Sequence, residues 1–419
     1  ILMFNRKVLF LLYNYPPELG TAPKRNFQLS ESLGEAFDQK FIITCYKSNR
    51  KQSGYIKEIK PFDYRSIVRK YSNSGYLSER LKKNVLSRVL IKLINTFPIN
   101  LIFGEGGGIY LIESFYFASK FVKQHKITHV YSSYRPVSDH FVGYMLKRRF
   151  PHLCWIADFR DLPVEPHYQQ QYLPNLHKNI YSYFFKKAKV ALTVSAGLAK
   201  ELNLYNDNIE VVMNGIEDEY LFPKSVKVSS FNIVYTGSLF LEERNPNPLF
   251  IALNNLIKKG LVDSNLIKIV YAGKDGQSWN QLTSQWELNE MTINKDLISS
   301  EESRILQQEP CINLLLTMAS DKLQGILTGK YIEYLKAGSP ILAIVKNQND
   351  KFLENELQEL KAGISVSDQD ESILTIENFI LEKFQNWTSS NKNEKSSLQN
   401  VIKIKYPADQ ILKSLNHYL

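Results

Sequence analysis

Cysteine is scarce in this 419-residue chain. Cys45, Cys154 and Cys311 are far apart and odd in number, which excludes a disulfide framework, and no Cys/His cluster has the spacing of a zinc site. A reducing compartment is therefore expected. Long apolar runs are also missing: no stretch reaches the roughly 18 uninterrupted apolar residues of a spanning helix. The start, Ile1 to Phe10, carries Arg6 and Lys7 with no small-residue cleavage site behind it, so no secretory leader is expected and any membrane contact should be peripheral. The seven histidines form no recognisable constellation. Three spaced glycines do not follow the first strand, which excludes a simple NAD site. No Asp-x-Asp follows a strand to hold a metal, and no helix-turn-helix, finger or aromatic-basic motif points to nucleic acid. Repeats at a solenoid period and long low-complexity tracts are absent.

What is present is ordinary globular material, 44% hydrophobic and 22% charged, in a chain longer than one core usually organises, so two domains are expected. Charge is unevenly placed. Residues 1–200 hold 31 Lys+Arg and 13 Asp+Glu, or +18, leaving 52 − 31 = 21 against 42 − 13 = 29, or −8, for the remainder. The basic half suits an anionic surface or ligand, or is a solvated face. Short β-branched or aromatic runs alternate with amphipathic stretches throughout, the pattern of α/β parallel sheets. Strands are expected from Val8, Phe41, Thr128, Cys154, Val190 and Ile209, then from Phe231, Leu266, Ile312 and Pro340, with the two series joined near 215–230. Helices are expected near 24–37, 109–126, 137–149, 172–187 and 196–203. Ala408–Leu419 reads as an amphipathic helix with Ile411, Leu412, Leu415 and Leu419 on one side, and 386–400 reads as a polar loop.

Three segments carry candidate chemistry. In YNYPPELGTAPKRNFQL a strand runs through Pro16, Pro17, Gly20 and Thr21 into a helix, where close backbone approach and free N–H groups favour a phosphate. A generic strand-loop-helix junction is the competing reading. In GILTGKYIEYLKAGSPIL, Gly329 and Lys330 open a helix that carries Glu333, and Gly338-Ser339-Pro340 ends it before a buried strand. A lysine there can neutralise a diphosphate, and a carboxylate one turn later can accept both hydroxyls of a ribose; an exposed Lys–Glu pair is the plainer alternative. In SERLKKNVLSRVLIKLIN, from Ser78, Leu81, Val85, Val89 and Leu93 share a face beside Arg80, Lys82, Lys83, Arg88 and Lys92. That helix suits either an anionic bilayer or an ordinary wet domain surface.

In order, PPELGTAPKR, WIADFRDLP, TVSAGLAKEL, VVMNGI, IVYTGS and TGKYIEYLKAGSPIL resemble the retaining glycosyltransferases of family four. VYSSYRPVSDHFVGYMLKRRFPHLCWIADFRDLP is similar to the first domain of a subgroup common in bacterial surface-polysaccharide clusters. The resemblance implies a GT-B architecture, with two Rossmann-like domains facing each other across a cleft. Residues 1–216 would hold the acceptor, 217–405 the nucleotide-sugar donor, and 406–419 a helix packing back toward the first domain. It implies that Gly20 and Thr21 face the donor diphosphate, that Arg25 braces their loop, that Lys330 contacts phosphate and that Glu333 binds the ribose. Asn214 and Gly215 match the interdomain hinge. Gly237 and Ser238 stand where relatives place a phosphate-binding basic pair; Ser238 replaces the arginine, which makes Arg244 the candidate for the missing charge.

Two departures stand out. The sugar-facing glutamate of many relatives falls on Gly325, so Asp321, Gln324 or the backbone at Gly325 and Ile326 would take its role. The usual His-Asp pair is Arg160-Asp161: Asp161 would orient or deprotonate the acceptor hydroxyl, and Arg160 would bind an acceptor phosphate or fix Asp161. An internal Asp158-Arg160-Asp161 ion-pair network is the alternative. The implied activity is metal-independent sugar transfer with retention, without a cofactor, from a nucleotide-diphosphate sugar to a glycan or polyprenyl-linked acceptor at the cytoplasmic face of a membrane. A nucleotide-sugar epimerase and a non-catalytic binding protein on the same scaffold are the other readings.

Overall fold

The computed structural model describes residues 6–18, 21–46, 55–60, 85–164, 171–213, 227–240, 244–320, 324–325, 327, 329–393, 395 and 410–418, without the side chains of residues 21, 85–88, 300 and 410. Gly20, Asn214, Gly215, Asp321, Ile326 and residues 78–84 of the basic helix lie outside this set. The chain divides into two compact units, Ile1–Met213 with Asp409–Leu419, and Asn214–Ala408.

The first unit runs β1 (Lys7–Leu11), α1 (Thr21–Gly34), β2 (Gln39–Cys45), β3 (Ile56–Ile59), α2 (Val85–Ile94), α3 (Ile99–Ile102), α4 (Gly107–His125), β4 (His129–Tyr134), α5 (Val137–Arg149), β5 (Cys154–Phe159), α6 (Pro174–Phe185), β6 (Val190–Thr193), α7 (Ala196–Leu202) and β7 (Ile209–Val211). Its parallel sheet has the order β3-β2-β1-β4-β5-β6-β7. The central strands are covered on both faces, so β1 and β4 are almost wholly buried; β1 reads as an apolar run, whereas β4, HVYSSY, buries a histidine and two serines.

The second unit runs β8 (Phe231–Thr236), α8 (Asn247–Lys258), β9 (Ile267–Ala272), α9 (Gly276–Ser284), β10 (Thr292–Asn294), α10 (Ser300–Gln308), β11 (Ile312–Met318), α11 (Gly329–Ala337), β12 (Ile341–Lys346), α12 (Lys351–Glu359), β13 (Gly363–Ser367) and α13 (Ile373–Ser390). Its six parallel strands are ordered β10-β9-β8-β11-β12-β13. The chain builds outward from β8 to β10 and then returns to lay β11 on the other side of β8. The helices after β8 and β11 therefore diverge, leaving a crevice at the carboxyl ends of those two strands.

The expected strands are present, with ends shifted by a few residues. β3, β10 and β13 are additions; all three are short edge strands with half-exposed sequences. The reading of 386–400 as a loop is corrected: α13 continues to Ser390. Trp387 anchors that last turn, buried in the core with Phe231 and Phe384. A closing helix, α14 (Gln410–Leu415), places Ile411 and Leu415 in the apolar core of the first unit beside Val8, Leu12 and Leu33. No described helix is long and apolar enough to cross a membrane.

Candidate functional site

The crevice of the second unit is built around Thr236, the last residue of β8. Its hydroxyl lies 3.2 Å from the Tyr334 hydroxyl of α11, accepts from Gln307 Nε2 at 2.9 Å and accepts from Lys330 Nζ at 3.3 Å. One face of α11 supplies Tyr331, Ile332, Tyr334 and Leu335 to the interior. Its other face carries Lys330 and Glu333, so helical spacing puts the two charged groups on the crevice side.

Lys330 and Glu333 come within 4.0 Å of each other and are 30% and 40% exposed. That separation is the limit of an ion pair, and a pair so exposed contributes little by itself. The lysine is more constrained than the carboxylate. Burial lowers the Lys330 pKa, the Glu333 charge acts to raise it, and Arg244 acts to lower it further. A partly desolvated ammonium favours an additional anion. Glu333 is steadied by Gln307, whose Nε2 lies 3.3 Å from Oε2 and which is itself buried.

Gly237 forms the other wall. Its φ is +142°, and a Cβ added there would lie 2.6 Å from Lys330 Cε, so only glycine lets the lysine lie flat on the strand end. The Gly237 carbonyl accepts from the Tyr271 hydroxyl at 2.9 Å. That hydroxyl accepts in turn from the Asp275 N–H at 2.9 Å, and Asp275 Oδ2 accepts from the Leu239 N–H at 2.8 Å. The turn after β8 is thus tied to the turn after β9. Beneath it, Tyr235 and Tyr271 stack on Trp279 with ring planes 14° and 16° apart from its own.

Ser238 and Arg244 complete this wall. Arg244 Nη1 donates to the Ser238 carbonyl and, at 3.3 Å, to the Tyr235 hydroxyl, and its guanidinium lies 4.9 Å from the centre of the Phe240 ring. The arginine therefore holds the turn and contributes positive charge to the crevice, as its effect on Lys330 shows. Of the groups considered for the absent glutamate, the Gly325 N–H is already taken: it donates to both oxygens of Asp350, at 3.1 and 2.8 Å, and the same carboxylate caps α12. That candidacy is corrected. Gln324 is the one remaining side chain among the described residues.

In the first unit, Arg25 projects from α1 to Asp158 on β5, with Nη2 to Oδ1 at 2.8 Å and Nε to Oδ2 at 3.2 Å. Both side chains are at most 2% exposed. Burial works against the guanidinium charge, but the charge and hydrogen bonds of Asp158 outweigh it and hold the Arg25 pKa above its ordinary value. Any effect of Arg25 on a ligand would come through the position of α1. Arg160 Nε donates to the Tyr134 carbonyl at 2.8 Å. Asp161, half exposed, lies 3.8 Å from Arg135 Nε. The Asp158-Arg160-Asp161 network is thereby corrected: Asp158 is committed to α1, and Asp161 faces β4. Thr21 opens α1.

Beside this edge, Asp139 accepts from the Tyr13 N–H and the Tyr110 hydroxyl, both at 2.8 Å. Burial lifts its pKa to about 7, against the lowering effect of those two hydrogen bonds. Among the described residues, no group of three or more His, Cys, Asp or Glu side chains could hold a metal ion. Thr236, Gln307, Asp350 and Asp139 were not singled out from sequence. Thr236 lies within the IVYTGS motif, whereas Gln307 reaches the crevice from another helix and has no local signal.

No family model and no curated sequence matches this chain. Solved structures do. A glycosyltransferase from Rickettsia africae is 13% identical, covering 99% of this chain and 98% of that one, with a TM-score of 0.60. Sucrose-phosphate synthase from Thermosynechococcus elongatus is 13% identical over 99% of this chain and 96% of that one, with a TM-score of 0.59. A variant of TarM from S. aureus, solved with fondaparinux, α-GlcNAc-glycerol and UDP, is 12% identical over 99% of both chains, with a TM-score of 0.61. The likeness establishes the fold: this chain has the α/β GT-B fold, with two parallel-sheet domains, that those glycosyltransferases share.

Proposed function

We propose that this protein is a glycosyltransferase that moves a sugar from a nucleotide-diphosphate donor to a glycan or lipid-linked acceptor. The observation that carries the proposal is the crevice at the β8/β11 switch point. There a partly desolvated lysine and a carboxylate one turn later stand beside a glycine turn at the opening of α11. Lys330 takes the donor pyrophosphate and Glu333 the ribose hydroxyls, with Gln307 holding the carboxylate in place. In the reaction the bond from the anomeric carbon to the diphosphate breaks, a bond from the acceptor oxygen to that carbon forms, and the acceptor hydroxyl gives up its proton. Lys330, Arg244 and the N–H groups at the start of α11 stabilise the departing negative charge. Asp161 orients the acceptor hydroxyl and takes its proton, and Arg160 is placed to bind an acceptor phosphate.

Retention, membership of family four and a role in surface-polysaccharide synthesis rest on the order of motifs in the sequence. Peripheral attachment to an anionic membrane face has support of a different kind. Between residues 80 and 104 there are five Lys or Arg and no Asp or Glu, and Leu90, Leu93, Ile102 and Phe103 of that stretch are exposed. Exposed Ile109 and Ile112 on the first turns of α4 follow it. Apolar side chains among cations suit a bilayer surface.

Thermal shift with UDP, GDP and dTDP tests the nucleotide site, because a ligand that binds only the folded state raises the midpoint. Release of free sugar from a nucleotide sugar without acceptor supports a transferase. Interconversion of two nucleotide sugars replaces it with an epimerase, and no turnover with any donor or acceptor reduces the chain to a binding protein.

A further inference from the structure

Lys395 lies in the polar stretch after α13 and is the last described residue of the second unit. The segment leading to it is fixed by backbone contacts: the Val228 N–H donates to the Asn391 carbonyl at 3.1 Å, and Lys392 forms an antiparallel bridge with Lys227. From there the Lys395 ammonium reaches two helices at once. It donates to the carbonyl of Gln308, the last residue of α10, to the carbonyl of Ala337, the last residue of α11, at 3.1 Å, and to Ser339 Oγ at 2.7 Å. These contacts use all of the donors that an ammonium has. Ser339, itself buried, donates in turn to the Pro310 carbonyl at 2.9 Å. Burial lowers the Lys395 pKa to about 8, against the raising effects of Cys311 and Glu309.

Two helix ends at one cation have a mechanical consequence. The last carbonyls of a helix have no partner within it and carry negative partial charge. Where α10 and α11 end side by side, those charges repel unless a cation stands between them. Asn313 and Asn393 satisfy carbonyls at the end of α10: Asn313 Nδ2 donates to Gln307 at 2.9 Å, and Asn393 Nδ2 donates to Gln308 at 3.3 Å and to Glu309 at 3.0 Å. Both are neutral amides, so the charge comes from Lys395. Gln307 is the neighbour of Gln308, and Glu333 is one turn before Ala337. Gln307 Nε2 and Glu333 Oε2 lie 3.3 Å apart in the crevice, and the spacing of the two helices sets that distance.

We propose that Lys395 is a positioning residue for the crevice: by clamping the carboxyl ends of α10 and α11 together, it holds Gln307 against Glu333 and keeps that carboxylate set for a nucleotide. The effect on a ligand rests on the nucleotide reading of the crevice. The clamp on the two helices does not depend on that reading.

The test pairs hydrogen–deuterium exchange with calorimetric titration of UDP, GDP and dTDP, on the full chain carrying Lys395→Met, Gln307→Leu or both. Lys395→Met should speed amide exchange about fivefold or more in peptides covering both α10 and α11. It should also raise the dissociation constant of whichever nucleotide binds the wild type about fivefold or more. Because both residues act through one contact, the double variant should bind within about twofold of Gln307→Leu, whereas independent effects would multiply. A residue that only stabilises the fold lowers the melting temperature and leaves the affinity of the folded protein as it was. Should Lys395→Met fail to fold, Lys395→Gln, which loses the charge and keeps a polar end, carries the same comparisons. Unchanged exchange in either helix, wild-type affinity in a folded Lys395 variant, or multiplied losses in the double variant overturns the proposal. If the wild type binds none of the three nucleotides, the nucleotide reading falls. Exchange then decides the clamp by itself: faster exchange in both helices upholds it, and unchanged exchange overturns it.

Discussion

Replacing Gly237 by alanine probes the proposed nucleotide crevice without touching a charged group. The added Cβ would lie 2.6 Å from Lys330 Cε, and the backbone φ of +142° is one that L side chains rarely adopt. Holding alanine there costs about 1–3 kcal/mol of backbone strain, so the melting temperature should fall. The lysine must also leave the strand end. Moving its charge from about 4 to about 7 Å from a phosphate, at an effective dielectric constant near 20, loses about 2 kcal/mol of attraction. Isothermal titration with whichever of UDP, GDP or dTDP binds the wild type should therefore give a dissociation constant raised roughly 10- to 30-fold. Gly260→Ala is the control: its φ is also positive, at +70°, but a Cβ there meets nothing within 4 Å. It should lose stability and keep nucleotide affinity. Full affinity in Gly237→Ala, or an equal loss in Gly260→Ala, refutes the claim that this glycine exists to seat Lys330.

Three further outcomes follow from charge and exposure. Asp158→Asn leaves the buried Arg25 guanidinium without its counter-charge, so denaturant unfolding of the first unit should show a loss of about 3–5 kcal/mol; a loss below 1 kcal/mol contradicts the pairing. Asp139 has a folded-state pKa of about 7 against an ordinary 3.8, so the folded protein retains a proton that the unfolded chain gives up. Its stabilising effect is full below about pH 4 and is lost as pH rises through 7, a change of about 4 kcal/mol at 1.36 per unit. The stability difference between wild type and Asp139→Asn should shift by that order between pH 4 and 8, and a flat difference sinks the assignment. Ile102→Ser with Ile112→Ser, both exposed, should leave the melting temperature unchanged and lower cosedimentation with phosphatidylglycerol vesicles about tenfold or more, at roughly 1 kcal/mol for each partly inserted side chain. Equal sedimentation of the variant, or of wild type with purely zwitterionic vesicles, contradicts membrane attachment by this face.

Both sheets were legible in the sequence because most of their central strands are covered on two faces and so carry short apolar runs, VLFL within KVLFL and LLL within INLLLTM. The edge strands β3, β10 and β13 lack that signal, since IKEI, TIN and GISVS are short and half exposed. The last turn of α13 was obscured by polar neighbours of Trp387, the residue that ties it to the core. At the candidate site, the three-residue spacing of Lys330 and Glu333 is visible in any linear reading. Whether the two form a surface pair or face a crevice was not, because Gly237 and Gln307 reach them from other elements. Likewise, Asp158 lies two and three positions from Arg160 and Asp161, yet its partner is Arg25, 133 residues away. Sequence proximity among charges carried no information about which would pair once β5 was in the sheet.

Calorimetric titration of Lys330→Ala and Glu333→Ala with UDP, GDP and dTDP, beside the wild type, bears most directly on the proposed nucleotide site. Wild-type protein should bind at least one of the three, and each substitution should weaken that binding tenfold or more while the melting temperature of the unliganded protein stays in place. Wild-type affinity in both variants, or no binding of any of the three nucleotides by the wild type, would contradict it.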